Sequence, residues 1–274
     1  MYKVLKREKI VPNIHHLVIE SDIIHTNAQA GEFIVVRADE PGERIPLNIA
    51  DWDEKSVSAV FMEIGTSTRK LAALKAGDEI ATLVGPLGKP TEMVEGKNIL
   101  CIGGCYGIGA LLPVVRALKK NGNRIITAIE ARSEYLLYWQ EKLKEHSDDF
   151  YEITRDGTRG FKGHVNDFLA GYLKQNKVDM VYVQGCTYLT YLTSETTRPL
   201  EVKTIVGLNP IMVDATGMCG VCRVIVAGET KFGCVDGPEF DGHLVDWQNL
   251  LSRRKIYLKE EVYSLSFYEC ETYG

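Results

Sequence analysis

The chain has 274 residues, of which 45% are hydrophobic and 25% charged, and its formal net charge is −5 at pH 7. This length suffices for two or three small domains, and the composition is that of an ordinary globular protein. The negative charge argues against nucleic-acid binding, and no apolar run approaches the ~20 residues of a membrane helix. Because the first residues also lack the apolar core of a signal peptide, we expect a cytoplasmic protein with no membrane or nucleic-acid partner.

Residues 1–95 have the pattern of short strands. The runs "GEFIVVRAD" and "VSAVFMEIG" are rich in β-branched and aromatic residues and are bounded by turn residues. No long helical pattern interrupts them, so this region predicts a small antiparallel β-barrel.

Two polar stretches stand out in this region. In "RIPLNIAD", Arg44 and Pro46 precede a predicted strand, and in "EIGTSTRKL", Gly65 is followed by the hydroxyls of Thr66, Ser67 and Thr68. Backbone amides and hydroxyls of such a loop can hold a diphosphate. Without further context, a helix cap formed by Thr68 is the better-supported interpretation of the second stretch.

Residues 96–206 alternate between strands and helices. The strands "KNILCIGG", "RIITAIEA", "FYEIT" and "DMVYVQG" are each followed by a helical pattern, the second of them by "SEYLLYWQEKLKEH", which Ser133 is placed to cap. This alternation predicts a parallel α/β sheet that binds ligands at the carboxyl ends of its strands.

The stretch "CIGGCYGIGALLP" links the first of these strands to its helix. Its glycines allow a tight turn, and amides at a helix start favour a pyrophosphate. The spacing is not a strict G-x-G-x-x-G, so a tightly packed turn without a ligand remains an alternative. At the end of the next strand, Glu130 is a candidate for an adenosine ribose, as in NAD sites, and Arg132 for a 2′-phosphate.

Three of the seven cysteines lie in the segment "MVDATGMCGVCRVIVAGETKFGC". Residues 222–234 read as a hairpin that turns at Ala227-Gly228 and brings Cys234 beside Cys222. The spacing is that of a plant-type two-iron two-sulfur site in which Asp214 replaces the first cysteine. A zinc site with the three thiols and Asp214 or His243 is the alternative, and the other four cysteines are expected to be unligated.

In this order, the motifs resemble the ferredoxin reductase-like family along nearly the whole chain. "RIPLNIAD" is similar to the flavin motif of that family, "GTSTRKL" to its diphosphate-binding helix start and "IGGCYGIGALLP" to its nicotinamide-nucleotide loop. The resemblance implies FAD and pyridine-nucleotide contacts at the following positions: Arg44, Pro46, Leu47, Asn48, Ile49, Gly65, Ser67, Thr68, Gly103, Gly104, Gly107, Ile108 and Gly109. Asn48 stands where Thr or Ser is usual, and Cys105 and Tyr106 stand where small residues are usual.

The C-terminal half resembles the small subunit of NADH-dependent ferredoxin:NADP+ oxidoreductase, a type also described as a sulfide dehydrogenase subunit. "VKTIVGLNPIMVDATGMCGVC" and "KFGCVDGPEFDGHLVDW" carry this likeness. The resemblance implies FAD and a 2Fe-2S cluster held by Asp214, Cys219, Cys222 and Cys234. It also implies a larger, glutamate synthase-like partner subunit with FAD and 4Fe-4S clusters, to which electron bifurcation would belong.

The sequence thus predicts a mixed multi-domain chain: an FAD-binding β-barrel (1–95), an NAD(P)-binding α/β domain (96–206), a 2Fe-2S lobe (207–250) and a C-terminal tail (251–274). The predicted function is hydride exchange between NAD(H), or alternatively NADP(H), and FAD, followed by single-electron exchange with the cluster. No side chain is assigned to acid–base catalysis, because the cofactors carry the chemistry. The alternatives are the electron-transfer subunit of dihydroorotate dehydrogenase, in which four cysteines hold the cluster, and a zinc-stabilised nucleotide-binding regulatory module.

Overall fold

The computed structural model describes residues 1–273, and two seven-stranded sheets contain most of its strands. In this part of the chain, no helix combines the length and the apolar character that crossing a membrane would require.

The N-terminal sheet is antiparallel. Its strands are β1 (Tyr2–Val11), β2 (Ile14–Glu20), β3 (Phe33–Arg37), β4 (Ile45–Trp52), β5 (Ser56–Met62), β6 (Glu79–Ile80) and β7 (Thr82–Leu87). The strand order is β6-β1-β2-β5-β4-β3-β7, so β6 and β7 form opposite edges although only Ala81 separates them along the chain. The sheet therefore curls so that its two edges approach each other at Ala81, which confirms the predicted N-terminal antiparallel barrel fold.

Branched and aromatic side chains fill the barrel, among them Leu17, Ile34, Ile49 and Phe61. Two helices accompany these strands, α1 (Ile24–Asn27) and α2 (Thr66–Ala73). Helix α2 follows β5 directly and starts at the predicted diphosphate stretch.

The second sheet confirms the predicted parallel α/β fold, and its last strand, Glu239–Asp241, comes from the segment predicted as the 2Fe-2S lobe. Its strands are β8 (Asn98–Gly104), β9 (Arg124–Ala131), β10 (Asp149–Thr154), β11 (Phe161–Lys162), β12 (Met180–Gln184), β13 (Lys203–Gly207) and β16 (Glu239–Asp241). The order is β11-β10-β9-β8-β12-β13-β16, and all neighbouring pairs are parallel except β13 with β16. The helices between them are α3 (Gly107–Lys120), α4 (Gln140–Lys144), α5 (Val165–Gln175) and α6 (Thr187–Thr197).

This strand order places a topological switch point between β8 and β12. From β8 the chain adds strands in one direction as far as β11, and β12 then starts the other half of the sheet. Open α/β sheets bind ligands in the crevice outside the carboxyl ends of the two strands at such a point. Here those ends carry the glycine-rich turn after β8 and Gly185 after β12.

The C-terminal residues add a hairpin and two helices: β14 (Arg223–Val226), β15 (Glu229–Phe232), α7 (Trp247–Arg253) and α8 (Leu258–Tyr273). Ala227 and Gly228 have φ values of 52° and 78°, as a two-residue type I′ turn requires. The predicted hairpin is therefore confirmed, and the predicted C-terminal tail is largely helical.

The helix predicted to start at Ser133 is broken. A 3₁₀ turn covers Glu134–Leu136, Trp139 has a φ of 56°, and α4 starts only at Gln140. The buried Tyr138 explains the break, because its hydroxyl donates to Cys105 O (2.9 Å) and accepts from Gly109 N (3.0 Å). Ser133 makes no side-chain cap hydrogen bond.

Candidate functional site

A cavity of about 260 Å³ lies where the barrel, the second sheet and the C-terminal lobe meet. The barrel contributes β4 and β5, the α/β domain contributes the start of α3, and the C-terminal lobe contributes residues 208–212. Its walls are formed by Phe33, Pro46, Leu47, Asn48, Val60, Phe61, Met62, Ile64, Thr68, Tyr106, Ala110, Leu208, Asn209, Pro210, Met212, Pro238 and Arg254.

Three of the five residues predicted from "RIPLNIAD" line this cleft. Pro46, Leu47 and Asn48 are partly buried on β4, where Asn48 pairs with Phe33. Ile49 points into the barrel core instead. Arg44 is exposed and lies outside the cleft wall. The pKa of the Asp214 carboxyl is lowered mainly by hydrogen bonds from Thr216, and Arg44 adds a small effect in the same direction.

The start of α2 is open to a ligand. A Cβ added at Gly65 would meet no atom within 4 Å, and Thr68 lines the cleft. The Thr68 hydroxyl accepts from Ile64 N and Gly65 N, both at 3.0 Å. The helix starts at Thr66 with Gly65 as its N-cap, so Thr68 is not the cap residue that the sequence predicts but the third helical residue, whose hydroxyl reaches back to Gly65 N. Ser67 lies partly buried in the same first turn, whose amides face no earlier helical turn.

The glycine-rich turn is packed closely against the protein. A Cβ at Gly107 would lie 2.3 Å from Gln184 O, at Gly104 2.7 Å from the Leu189 side chain, and at Gly109 2.6 Å from the Val60 side chain on the barrel. Gly103 is similarly confined by Leu111.

Two of the turn's amides already have partners in the protein. Ile108 N donates to Cys105 O at 3.2 Å and Gly109 N to the Tyr138 hydroxyl at 3.0 Å, while the Ile108 side chain is buried in the core. Packing therefore accounts for these glycines by itself, and a pyrophosphate at this turn stays a prediction.

Glu130 is buried, and both of its carboxylate oxygens have partners. Oε1 accepts from Arg155 Nε at 2.7 Å, and Oε2 accepts from Val165 N at 2.9 Å at the start of α5. The His164 ring lies 3.5 Å from Oε1. This arrangement favours a structural role, so a ribose contact for Glu130 remains a prediction. Arg132 is exposed at the same end of the sheet.

We expect Glu130→Gln to act on stability rather than on nucleotide affinity. The substitution removes a charge-assisted contact with Arg155 and weakens the acceptor at Val165 N, which corresponds to a loss of roughly 1–3 kcal/mol. Thermal unfolding and the KM for NADH should be compared with those of Glu134→Gln, an exposed control. A raised KM with unchanged unfolding would instead assign Glu130 to the ribose.

The cysteine hairpin brings two of the predicted ligands together. Cys222 and Cys234 are buried, and their sulfur atoms lie 3.2 Å apart. Burial, and to a smaller extent the contact with Cys222, raises the pKa of the Cys234 thiol to about 12. Neighbouring thiols of this kind suit one metal ion, and binding must displace their protons.

The other two predicted ligands lie on the loop before the hairpin. Cys219 is exposed, and Asp214 accepts from Thr216 Oγ1 (2.6 Å) and Thr216 N (3.0 Å), contacts that lower the pKa of its carboxyl. Among the side chains that the structure describes, no three from Cys, His, Asp or Glu residues converge closely enough to hold a metal ion. The donor types fit an iron–sulfur cluster, but the described conformation brings only two of them together.

The cleft and the cysteine pair share a wall. Phe33 and Met212 line the cleft and also belong to the hydrophobic cluster that contains Cys222 and Cys234. Sequence patterns did not single out either residue. The shared wall results from packing the lobe against β3, which no local motif encodes.

Two further cleft residues had no functional role in the sequence interpretation. The sequence marks Tyr106 only as an unusual residue of the glycine-rich turn and places Arg254 in the predicted C-terminal tail. Arg254 follows α7, yet its guanidinium donates to the Thr187 hydroxyl at the start of α6. Its position is a consequence of tertiary folding alone.

These features define a ferredoxin reductase-like fold, a barrel and a nucleotide-type α/β domain that enclose a cleft. The ferredoxin reductase of carbazole 1,9a-dioxygenase has the same fold at 17% sequence identity, with a TM-score of 0.60 over 73% of this chain and 64% of that one.

Closer relatives identify the family. Residues 209–246 match the iron–sulfur cluster binding domain of dihydroorotate dehydrogenase B. A Thermotoga maritima protein, the "dihydroorotate dehydrogenase B (NAD(+)), electron transfer subunit homolog", is 41% identical over 261 residues, 94% of this chain and 92% of that protein. The chain belongs to the family of these electron-transfer subunits and their homologues.

A solved structure supports the sequence resemblance. A chain from the structure of NADH-dependent reduced ferredoxin-NADP oxidoreductase, described for flavin-based electron bifurcation, is 38% identical to this chain. The match covers 98% of both chains with a TM-score of 0.93. The predicted family and fold are thereby confirmed, as is an iron–sulfur binding domain in the C-terminal lobe.

Proposed function

We propose that this chain is an electron-transfer subunit that exchanges hydride between NAD(H) and FAD, and single electrons between FAD and a 2Fe-2S cluster. One observation carries the proposal: Phe33 and Met212 separate the cleft from Cys222 and Cys234. A redox group in the cleft would therefore lie next to one at the cysteines. Electron tunnelling weakens steeply with distance, so this adjacency suits transfer between them.

FAD is assigned to the cleft. Pro46, Leu47 and Asn48 form a partly buried strand face for the flavin ring, and the Asn48 amide can donate a hydrogen bond to it. The first turn of α2, with Gly65, Ser67 and Thr68, would hold the diphosphate through its amides and hydroxyls. Arg44 would meet phosphate at the outer end of β4.

The nicotinamide nucleotide is assigned to the crevice between β8 and β12, which opens toward the cleft at Tyr106 and Ala110. The "NAD(+)" in the Thermotoga maritima relative's name supports NAD(H), with NADP(H) as the alternative. Gly103, Gly104, Gly107, Ile108 and Gly109 shape the turn, and Arg132 is free to approach the adenosine end.

The cluster is assigned to Asp214, Cys219, Cys222 and Cys234. Iron tolerates a carboxylate among thiolate ligands, and the harder oxygen donor changes the cluster's charge and potential. Gly217 and Gly220, with φ values of 87° and 67°, give this loop a conformation that lets it wrap closely around a bound group.

The partner is proposed to be a larger, glutamate synthase-like subunit that carries FAD and 4Fe-4S clusters. The solved relative belongs to an oxidoreductase described for bifurcation, which supports this type of partner. The name of the Thermotoga maritima relative supports the second candidate, an electron-transfer subunit for dihydroorotate oxidation. The aspartate among the proposed ligands favours the first.

The composition of anaerobically purified protein tests the proposal. We expect two irons and one FAD per chain and a spin-half electron paramagnetic resonance signal after reduction. One zinc per chain with no flavin would instead support the zinc-stabilised regulatory module. NADH oxidation that depends on orotate, measured after an orotate-binding partner subunit is added, would support the dihydroorotate alternative.

Asp214→Cys tests the fourth ligand. If Asp214 ligates iron, the variant should keep its cluster but show a shifted cluster potential and a changed resonance spectrum, because thiolate replaces carboxylate. Asp236→Cys in the same lobe, outside the proposed ligand set, serves as the control. A potential and spectrum identical to those of the unmodified protein would exclude Asp214 from the ligand set.

A further inference from the structure

Arg254 is the single charged side chain in the wall of the cleft. The other wall residues within the described chain are apolar or neutral polar. Arg254 belongs to the C-terminal segment between α7 and α8, so it reaches the cleft from outside both the barrel and the second sheet.

The charge of Arg254 has no carboxylate partner among residues 1–273. The ion pairs there involve other cations, and the Arg254 guanidinium donates instead to the neutral Thr187 hydroxyl. Arg254 also lies beside Tyr106. Burial raises the pKa of the Tyr106 hydroxyl, and the positive charge of Arg254 partly lowers it. An unpaired cation that faces an apolar cleft attracts an anion.

The chain is anchored on both sides of Arg254, which is itself an exposed residue. The neighbouring Arg253 donates to Val221 O at 3.0 Å, next to Cys222. Beyond it, α8 packs against α2 through Ser264 and Thr66 (2.9 Å) and through Glu269 and Arg69 (2.6 Å). The segment that carries Arg254 therefore lies between the cysteine lobe and the helix assigned to the FAD diphosphate.

We propose that Arg254 stabilises the negative charge of the reduced flavin and so raises the reduction potential of the bound FAD. This inference rests on the proposed function, which assigns FAD to the cleft. Hydride transfer breaks a C–H bond of NADH, leaves NAD+ and gives FAD two electrons and one proton, so the flavin ring gains one negative charge. A cation nearby stabilises that charge, and it does so more strongly where bound cofactor excludes water.

The test measures the midpoint potential of FAD in anaerobic, FAD-loaded protein. Arg254→Gln should shift the potential to a more negative value, whereas Arg254→Lys should stay close to the unmodified protein. Lys255→Gln is the matched control, because it removes one exposed positive charge at the next position, outside the cleft wall. In the unmodified protein, the reduced flavin should also have a lower pKa than free reduced FAD, as titration of its absorbance would show.

Each result has a defined meaning. Equal potentials for Arg254→Gln and Lys255→Gln would overturn the proposal, as would a reduced flavin whose pKa lies above that of free FAD. An unchanged potential with weaker NADH binding would also overturn it and would assign Arg254 to the nucleotide phosphates. Protein that binds no FAD at all would contradict the proposed function itself, and flavin content is measured first for that reason.

Discussion

Cys222→Ser should leave the protein able to bind FAD and to reduce a dye with NADH, while electron transfer beyond the flavin is lost. Cys222 is buried, and its sulfur lies 3.2 Å from that of Cys234. Replacing one ligand should lower iron affinity by at least about tenfold, since even changes behind the ligands cost that much. Iron content, the resonance signal and reduction of cytochrome c or of the partner should all fall together.

Cys270→Ser is the matched control, because it removes an exposed thiol on α8, far along the chain from the hairpin. It should keep both the cluster and all activities. If Cys222→Ser folds, retains FAD and still loses NADH–dye activity, the linear order of NADH, FAD and cluster is wrong. Persistent cytochrome c reduction without iron would mean that the flavin reaches the acceptor directly.

The elements that the sequence predicted well are those with local causes. Alternating strands and helices after residue 96 require a parallel sheet, and Ala227-Gly228 supplies the two positive φ values of the hairpin turn. The same holds for the cleft. One local motif on β4 contains Pro46, Leu47 and Asn48, so the three residues reach the cleft wall together.

The features that the sequence did not predict depend on contacts between distant segments of the chain. Tyr138 breaks a predicted helix because its hydroxyl serves the glycine-rich turn. Glu130 remains a predicted ribose ligand, but the sequence did not indicate that residues 25 and 35 positions further along the chain donate to its carboxylate. In the sequence, Arg254 is only part of a charged tail. It reaches the cleft because α7 packs on the lobe and α8 packs on the barrel. Side-chain periodicity carries no information about such pairings.

Glu239→Gln should change the free energy of unfolding in a pH-dependent way. The difference between the variant and the unmodified protein should favour the variant more at pH 8 than at pH 5. Glu239 lies on β16, where its Oε1 accepts from the Tyr182 hydroxyl and, at 2.8 Å, from the Thr91 hydroxyl. Gln184 donates to the Tyr182 oxygen at 2.8 Å. Burial of the Glu239 carboxyl raises its pKa from the ordinary value of 4.5 to about 7, and the hydrogen bonds from Tyr182 and Thr91 only partly oppose this rise.

The direction of this pH dependence follows from proton binding. The folded protein binds this proton more tightly than the unfolded chain, so the associated stability is present below pH 4.5 and is lost as the pH rises through about 7. A pKa change of this size corresponds to roughly 3 kcal/mol. Gln keeps an oxygen that accepts from Tyr182 and Thr91 but does not ionise, so it removes the loss at high pH.

Thermal unfolding of FAD-loaded protein between pH 5 and pH 8 measures the effect. Glu92→Gln is the control, because Glu92 follows Thr91 but its side chain is 79% exposed. The unfolding curves of the control should follow those of the unmodified protein, while those of Glu239→Gln should diverge from them as the pH rises. Parallel pH dependence for Glu239→Gln and the unmodified chain would show that Glu239 carries no extra proton in the folded state. Its network would then stabilise the junction of barrel, sheet and lobe by hydrogen bonding to an ionised carboxylate.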